Sequence, residues 1–275
     1  MLKRFIFKLE TIIAIFLSFG ISNVYAQTNT NGSAPSESDS ITVSISAKFN
    51  SRSKHNKIYL SSNKKDFVIR YTLNGSNPTG ESPRFGKPIQ IFGSGMVKAA
   101  AFKNGKQYGA IDSLLLINHK AIGVKPEYDS KYSEKYDGGG KYGLTDGIRG
   151  SKNFKDGLWQ GVEGANFEFV LDLNISKLIS KISLGTLQNA DSSIFFPRKI
   201  TLFGSQDGME YHKIDEIINH IPLNTTEAKL HDFIFQKRFK ARFVKIIAEN
   251  IGVCPEWSAD AGKKTWIFAD EVIVK

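Results

Sequence analysis

A chain of 275 residues holds one or two domains. Its single cysteine, Cys254, excludes an internal disulfide framework, and 12% aromatics with few helix-forming Ala/Leu/Glu-rich blocks favour an all-β protein over a helical one. The net charge is +10, and taking away the three bases and one acid of the first 26 residues leaves +8, which suits acidic partners; no nucleic-acid motif accompanies it.

Residues 1–26 read as a signal peptide. Lys3, Arg4 and Lys8 precede an apolar run from Ile12 to Ile21, and Val24-Tyr25-Ala26 supplies small residues for cleavage before Gln27. The run is short for a span of roughly 20 residues, and no later apolar run is long enough to cross a bilayer. The expectation is an exported protein, in the periplasm, at the cell surface or in the medium. Residues 27–40 are Asn, Gly, Ser, Thr and Pro with almost nothing apolar, the composition of a flexible linker.

From Ile41 the pattern changes. Ile41, Val43 and Ile45 alternate with Thr42, Ser44 and Ser46, and short apolar runs follow at Ile58–Leu60, Phe67–Tyr71, Ile89–Phe92, Val97–Phe102 and Ala110–Ile117. Asn74-Gly75 and Asn104-Gly105 are turn signals, because both residue types accept positive φ. Short strands between such turns predict a small sandwich over residues 41–117. The run Ile69 to Thr79, with Phe85, Pro88-Ile89 and Val97 to Phe102, resembles the chitobiase/β-hexosaminidase C-terminal domain, which implies a fibronectin-III-like accessory module without catalysis.

Residues 118–131 form a short junction. In the stretch Tyr142–Leu173, a glycine-rich loop with Asp146, Asp156 and Trp159 leads into alternation of Phe167, Phe169, Leu171 and Leu173 against Glu168, Val170 and Asp172, a strand with one face in a core. Further strands are expected at Leu178–Leu187, Lys199–Phe203, Phe233–Phe235, Phe243–Ala248 and Ile267–Val274, with a tight turn at Gln206-Asp207-Gly208. Leu144-Thr145-Asp146-Gly147, Trp159-Gln160-Gly161, Val170 to Leu173, Ser205 to Gly208, Ala241 to Lys245 and Ala269 to Val272 occur in an order that resembles the discoidin, or coagulation factor 5/8 C-type, jelly roll and the family 32 carbohydrate-binding modules. The fold expected is therefore all-β: a fibronectin-III-like sandwich followed, over residues 118–275, by a galactose-binding-like (discoidin) jelly roll. The module order also resembles the C-terminal part of bacterial β-hexosaminidases.

The resemblance implies a glycan partner, with N-acetylhexosamine or galactose suggested by it alone, and a structural Ca²⁺ held by Asp146 and Glu271, to which Ser151 can add a hydroxyl. From the residues themselves, Asp146 equally serves to stabilise its own turn, and Glu271 equally pairs with Arg149 or Lys141. Sugar rings stack on aromatic faces while a few polar groups fix their hydroxyls. Trp257, in the polar loop Cys254–Ser258, is one candidate platform. Phe195 and Phe196 are others, as is Trp159, which can instead pack beneath the loops. Glu256 and Asp191 are candidate hydroxyl partners.

Nothing points to an enzyme. A glycosidase needs two carboxylates facing one substrate, and Asp270 and Glu271, adjacent on a predicted strand, point to opposite faces. The five histidines lack metal-ligand spacing, and no nucleophile elbow, phosphate loop or dinucleotide fingerprint appears. Two rival readings remain at this stage. One is a structural or adhesion module contacting another protein. The other is a binder of acidic polysaccharide or lipid through the basic clusters Arg52–Lys57 and Lys237–Arg242.

Overall fold

The computed structural model describes residues 41–225 and 227–275; the leader and linker readings lie outside the described residues. The first module has six strands: β1 (Val43–Asn50), β2 (His55–Ser62), β3 (Val68–Thr72), β4 (Ile89–Ile91), β5 (Gly95–Lys103) and β6 (Lys106–Leu116). They form two antiparallel three-stranded sheets, β1-β2-β4 and β3-β5-β6. The alternation read in the sequence is the cause. Ile45 pairs with Leu60 and Ala47 with Ile58 on the inner face, while Ser46–Tyr59 and Lys48–Lys57 pair on the outer one. Val43, Ile58, Leu60, Val97, Ala99 and Leu114 fill the space between the sheets. Asn104 and Gly105 both have positive φ, 51° and 77°, and turn β5 directly into β6.

The second module has nine strands: β7 (Glu127–Tyr128), β8 (Gln160–Glu163), β9 (Phe167–Ile179), β10 (Ile182–Gln188), β11 (Lys199–Ser205), β12 (His212–Ile218), β13 (Lys229–Phe235), β14 (Phe239–Glu249) and β15 (Trp266–Val274). A five-stranded sheet, β12-β11-β14-β9-β7, faces a four-stranded one, β13-β10-β15-β8, and all their pairings are antiparallel. Phe167, Phe169, Leu171 and Leu173 of β9 meet Leu184, Phe235 and Val272 in the core between them. This is the jelly roll expected.

Three differences have physical reasons. The apolar run Leu178–Leu187 is not one strand: β9 continues through Ile179, and the chain crosses at Ser180-Lys181 into the other sheet as β10. Strand β8 was missed because Gly161 interrupts its pattern; its missing side chain makes room for the Phe268 ring, which would lie 2.5 Å from a Cβ there. Strand β12, an edge strand, carries no clean alternation.

The two modules are joined through backbone as well as through the linker. Ile148 pairs with Leu116, the last residue of β6, with Arg149 N donating to Leu115 O (3.0 Å) and Ile117 N to Gly147 O (2.8 Å). Ile148 and Leu158, residues of the jelly-roll segment, pack in the core of the sandwich. Asn56 Nδ2 of β2 donates to Asp146 O at 2.8 Å.

Candidate functional site

Three loops of the jelly roll, around 189–195, 219–225 and 250–265, are held together by a small apolar cluster of Ala190, Phe195 and Cys254, with Leu223 and Ile251 against it. The free Cys254 is buried there as a small apolar side chain. The last loop folds back on itself: Cys254 N donates to Lys263 O (2.8 Å) and Gly262 N to Cys254 O (3.0 Å). Asp260 ties it to the neighbouring turn by accepting from Ser193 Oγ (2.8 Å) and Lys263 Nζ (2.6 Å). Those bonds hold the Asp260 carboxyl below its usual range, the Lys263 bond first.

At the outer end of this loop stands Trp257, 53% exposed, its ring edge-on to buried Phe195 at 6.1 Å between centroids. Glu256 beside it and Asp191 on the facing loop are exposed. A rigid indole on a braced loop, with two free carboxylates on the same loop cluster, can offer a stacking face and acceptors for hydroxyl groups.

The other expected platforms are corrected by their burial. Phe195 and Phe196 are 1% exposed. Phe195 is the base on which Trp257 rests, and Phe196 packs on Phe233 and His231. Trp159 is also sealed: its Nε1 donates to Ser151 O (3.0 Å), and a Cβ on Gly150 would come within 2.4 Å of its ring. None of these three rings has a face for a ligand.

Asp146 and Glu271 do come together, deep inside, but Ser151 does not join them. Its hydroxyl donates instead to Asp156 Oδ2 at 2.8 Å. His119 Nδ1 accepts from Ala121 N (3.2 Å), so the ring proton sits on Nε2, which donates to Glu271 Oε1 at 2.7 Å. Gly147 N donates to Glu271 Oε2 (2.9 Å) and Ile148 N to Asp146 Oδ1 (2.8 Å). Burial first pushes both well above the ordinary carboxylate range; the charges of Asp146 and Asp270 push Glu271 further up, and that of Asp270 pushes Asp146 up, while the hydrogen bonds of Asp146 to Ile148 N and Glu271 pull the other way. Burial, then the charge of Lys275, keeps His119 neutral, down to about 3. Three of the four carboxyl oxygens thus already take N–H donors. The two carboxyls by themselves supply only part of the six to eight oxygens that calcium takes. His119 lies 152 residues from Glu271, and nothing in the sequence pointed to it.

Arg149 does not pair with Glu271. Its Nε donates to Asp270 Oδ2 (2.7 Å) and its Nη2 to Asp232 Oδ1 (2.6 Å). Asp270 and Glu271 therefore serve two separate buried networks, as their opposite directions on β15 require. Among the described residues no group of three or more His, Cys, Asp or Glu side chains is placed to hold a metal ion.

These features define a two-module β protein, sandwich then jelly roll, with a solvent-facing ring on braced loops. Residues 48–113, within the sandwich, match the family model described as the chitobiase/beta-hexosaminidase C-terminal domain. Among solved structures, the chain is similar in fold to a CBM32 module from a family 31 glycoside hydrolase of Clostridium perfringens (17% identity, 55% of this chain and 92% of that one, TM-score 0.35). It is similar also to the C-terminal domain of a chitobiase from Bacteroides fragilis (17% identity, 55% and 93%, TM-score 0.34). A third is chitosan-binding module 2, in complex with chitotriose, from a Paenibacillus chitosanase/glucanase (13% identity, 57% and 98%, TM-score 0.34). No curated protein matches the chain.

Proposed function

We propose that this is an exported, non-catalytic glycan-binding protein whose jelly roll takes a neutral sugar at Trp257. The observation that carries the reading is that ring: a large aromatic, half out in solvent, on a loop tied down by Asp260 and seated on Phe195. Leaving an indole exposed forgoes burial of a large apolar surface, and a sugar whose C–H face covers it recovers that burial. Glu256 and Asp191 accept from its hydroxyls. The match of residues 48–113 to a domain named for chitobiases and β-hexosaminidases supports a glycan, with N-acetylhexosamine or galactose as the first sugars to try. Export rests on the leader pattern of residues 1–26, and N-terminal sequencing of the mature protein should begin at Gln27. Calcium is not needed in this reading, because the Asp146–Glu271 pair is satisfied by N–H donors and a proton.

A glycan array on the wild type and on Trp257→Ala tests the site. A single central aromatic contact is worth about 2 kcal/mol, so the variant should bind its best glycan roughly 30-fold more weakly. The array pattern should be the same with EDTA. Unchanged binding by Trp257→Ala would remove the site, and an EDTA-sensitive pattern would restore the metal.

A further inference from the structure

The outer face of the sheet β1-β2-β4 is organised around uncompensated positive charge. Lys48 lies directly opposite Lys57 in the β1–β2 register, and Gln90 of β4 stands on the other side of Lys57. Like charges directly opposite on one face cost stability, yet none of the side chains facing outward from these three strands, Ser44 to Asn50, His55 to Ser61 and Gln90, is acidic. Among the described residues neither lysine has an ion-pair partner. Beside the pair, Tyr59 is exposed on the same face, with Lys57 Nζ 6.0 Å from its ring centroid. A cleft of about 320 Å³ runs over Lys48, Asn50, His55, Lys57 and Tyr59.

The charge continues past the end of this sheet. The β1–β2 hairpin ends at Lys54, which has positive φ and is set by Asn50 Oδ1 accepting from Arg52 N and Ser53 N, both at 3.1 Å. Across from it, Lys177 Nζ donates to Lys120 O (3.0 Å) and Lys120 Nζ to Leu178 O (2.8 Å), so the two ammonium groups are pinned by backbone instead of by carboxylates. Burial, then the like charges of Lys54 and Lys120, hold the Lys177 ammonium below the usual lysine range. A chain bearing repeated anions would relieve repulsion at both places. A flat bilayer meets protruding groups, whereas Lys177 is half-buried and the Lys48–Lys57 pair lines a cleft. A row that runs from a cleft past exposed Lys54 and Lys120 to half-buried Lys177 suits a flexible linear polymer.

We propose that the first module carries its own binding face for an acidic polysaccharide: carboxylate or sulfate groups meet Lys48 and Lys57, a sugar ring lies on Tyr59, and the polymer continues toward Lys54, Lys120 and Lys177. The site is separate from Trp257, and its ligand class differs from the neutral sugar placed there.

Titration of the full protein with heparin (sulfated), polygalacturonate (carboxylated) and dextran (neutral) in 50 mM salt tests this. Vesicles of phosphatidylcholine and phosphatidylserine form the lipid arm. At least one of the two polyanions should bind, which of them telling sulfate from carboxylate recognition, and dextran should not. Removing two partly exposed cations, in Lys48→Ala/Lys57→Ala, should weaken binding about tenfold, and these substitutions relieve repulsion, so the fold is kept. Tyr59→Ala should weaken what binding remains at 300 mM salt, where charge is screened. Lys237→Ala/Lys240→Ala, on the other basic cluster, and Trp257→Ala should bind the polyanion within about twofold of wild type, as substitutions outside an interface do. The proposal falls if neither polyanion binds, if both lysine double variants lose binding equally, or if the vesicles bind and the polysaccharides do not.

Discussion

Asp146 and Glu271 show how one side chain can tell a metal site from a proton site. Both carboxyls titrate above their unfolded values of 3.8 and 4.5, because burial, joined by the charge of Asp270 and, for Glu271, that of Asp146, penalises ionisation. For an acid whose folded value is raised, the stability it contributes is complete below the unfolded value and is lost as pH climbs through the folded one. His119 works in the opposite sense: its folded value of about 3 lies below the ordinary 6.5, so stability is lost as pH falls below about 6.5. Asp146→Asn separates the two. An asparagine Oδ1 still accepts from Ile148 N, and its Nδ2 donates to Glu271. Thermal melts should show the variant gaining a few °C over wild type at pH 8, on the scale of 1–2 kcal/mol, and gaining little at pH 4. Added calcium should move neither melt. A variant less stable at pH 8, with a wild type stabilised by calcium, would mean that the pair holds the ion.

At the scale of elements, the strongest local brace is Arg149, which links its loop to β15 through Asp270 and to β13 through Asp232. Asp270 is fully buried, and its Oδ1 already lacks a partner. Arg149→Met would leave that carboxylate without its cation, which costs about 3–5 kcal/mol, and Arg149→Lys should rescue only part because it cannot bond both carboxylates with one planar fork. Urea denaturation checks both; a loss under about 1 kcal/mol in Arg149→Met would show that Asp270 is held some other way. The same region marks what the sequence could reveal. Strands with clean alternation, such as β1 and β9, and the Asn104-Gly105 turn were legible because period and turn chemistry are local. β8 was not, since Gly161 matters only through the Phe268 ring laid against it from another strand. Among the loop aromatics the sequence pointed to an exposed Trp257 and allowed Trp159 to pack beneath the loops, but it did not reveal that Phe195 and Phe196 are covered. Trp257 sits among polar neighbours and faces solvent, while Phe195, Phe196 and Trp159 are covered by residues distant in the chain. The lysine face was legible only in part for a related reason: the Arg52–Lys57 cluster stands out in the chain, but Lys48 joins Lys57 only through the β1–β2 register.

For the molecule as a whole, the backbone joint between the modules decides how it unfolds. Residues 147–149 take up hydrogen-bonding groups at the C-terminal end of β6, and Ile148 and Leu158 fill part of the sandwich core. Opening the jelly roll therefore removes two side chains from the first core and bares the end of a strand, so the first module cannot keep its full stability once the second is lost. The reverse also holds, because Asn56 of the sandwich satisfies the carbonyl of Asp146, next to the buried carboxyl pair. Two independent domains would melt in two steps; coupled ones melt in one. Calorimetry of residues 41–275 should show a single transition whose van't Hoff and calorimetric enthalpies agree. Asn56→Ala should lower that transition as a whole by about 1–3 kcal/mol, the cost of an orphaned buried acceptor, without splitting it. Two resolved transitions in the wild type, or an Asn56→Ala effect confined to one of them, would mean that the joint is a contact and not a shared fold. A single transition would also give the two proposed binding faces, Trp257 on the jelly roll and Lys48–Lys57 on the sandwich, a fixed geometry. One polymer carrying both neutral and acidic sugars could then engage them together, each held at the other's effective concentration.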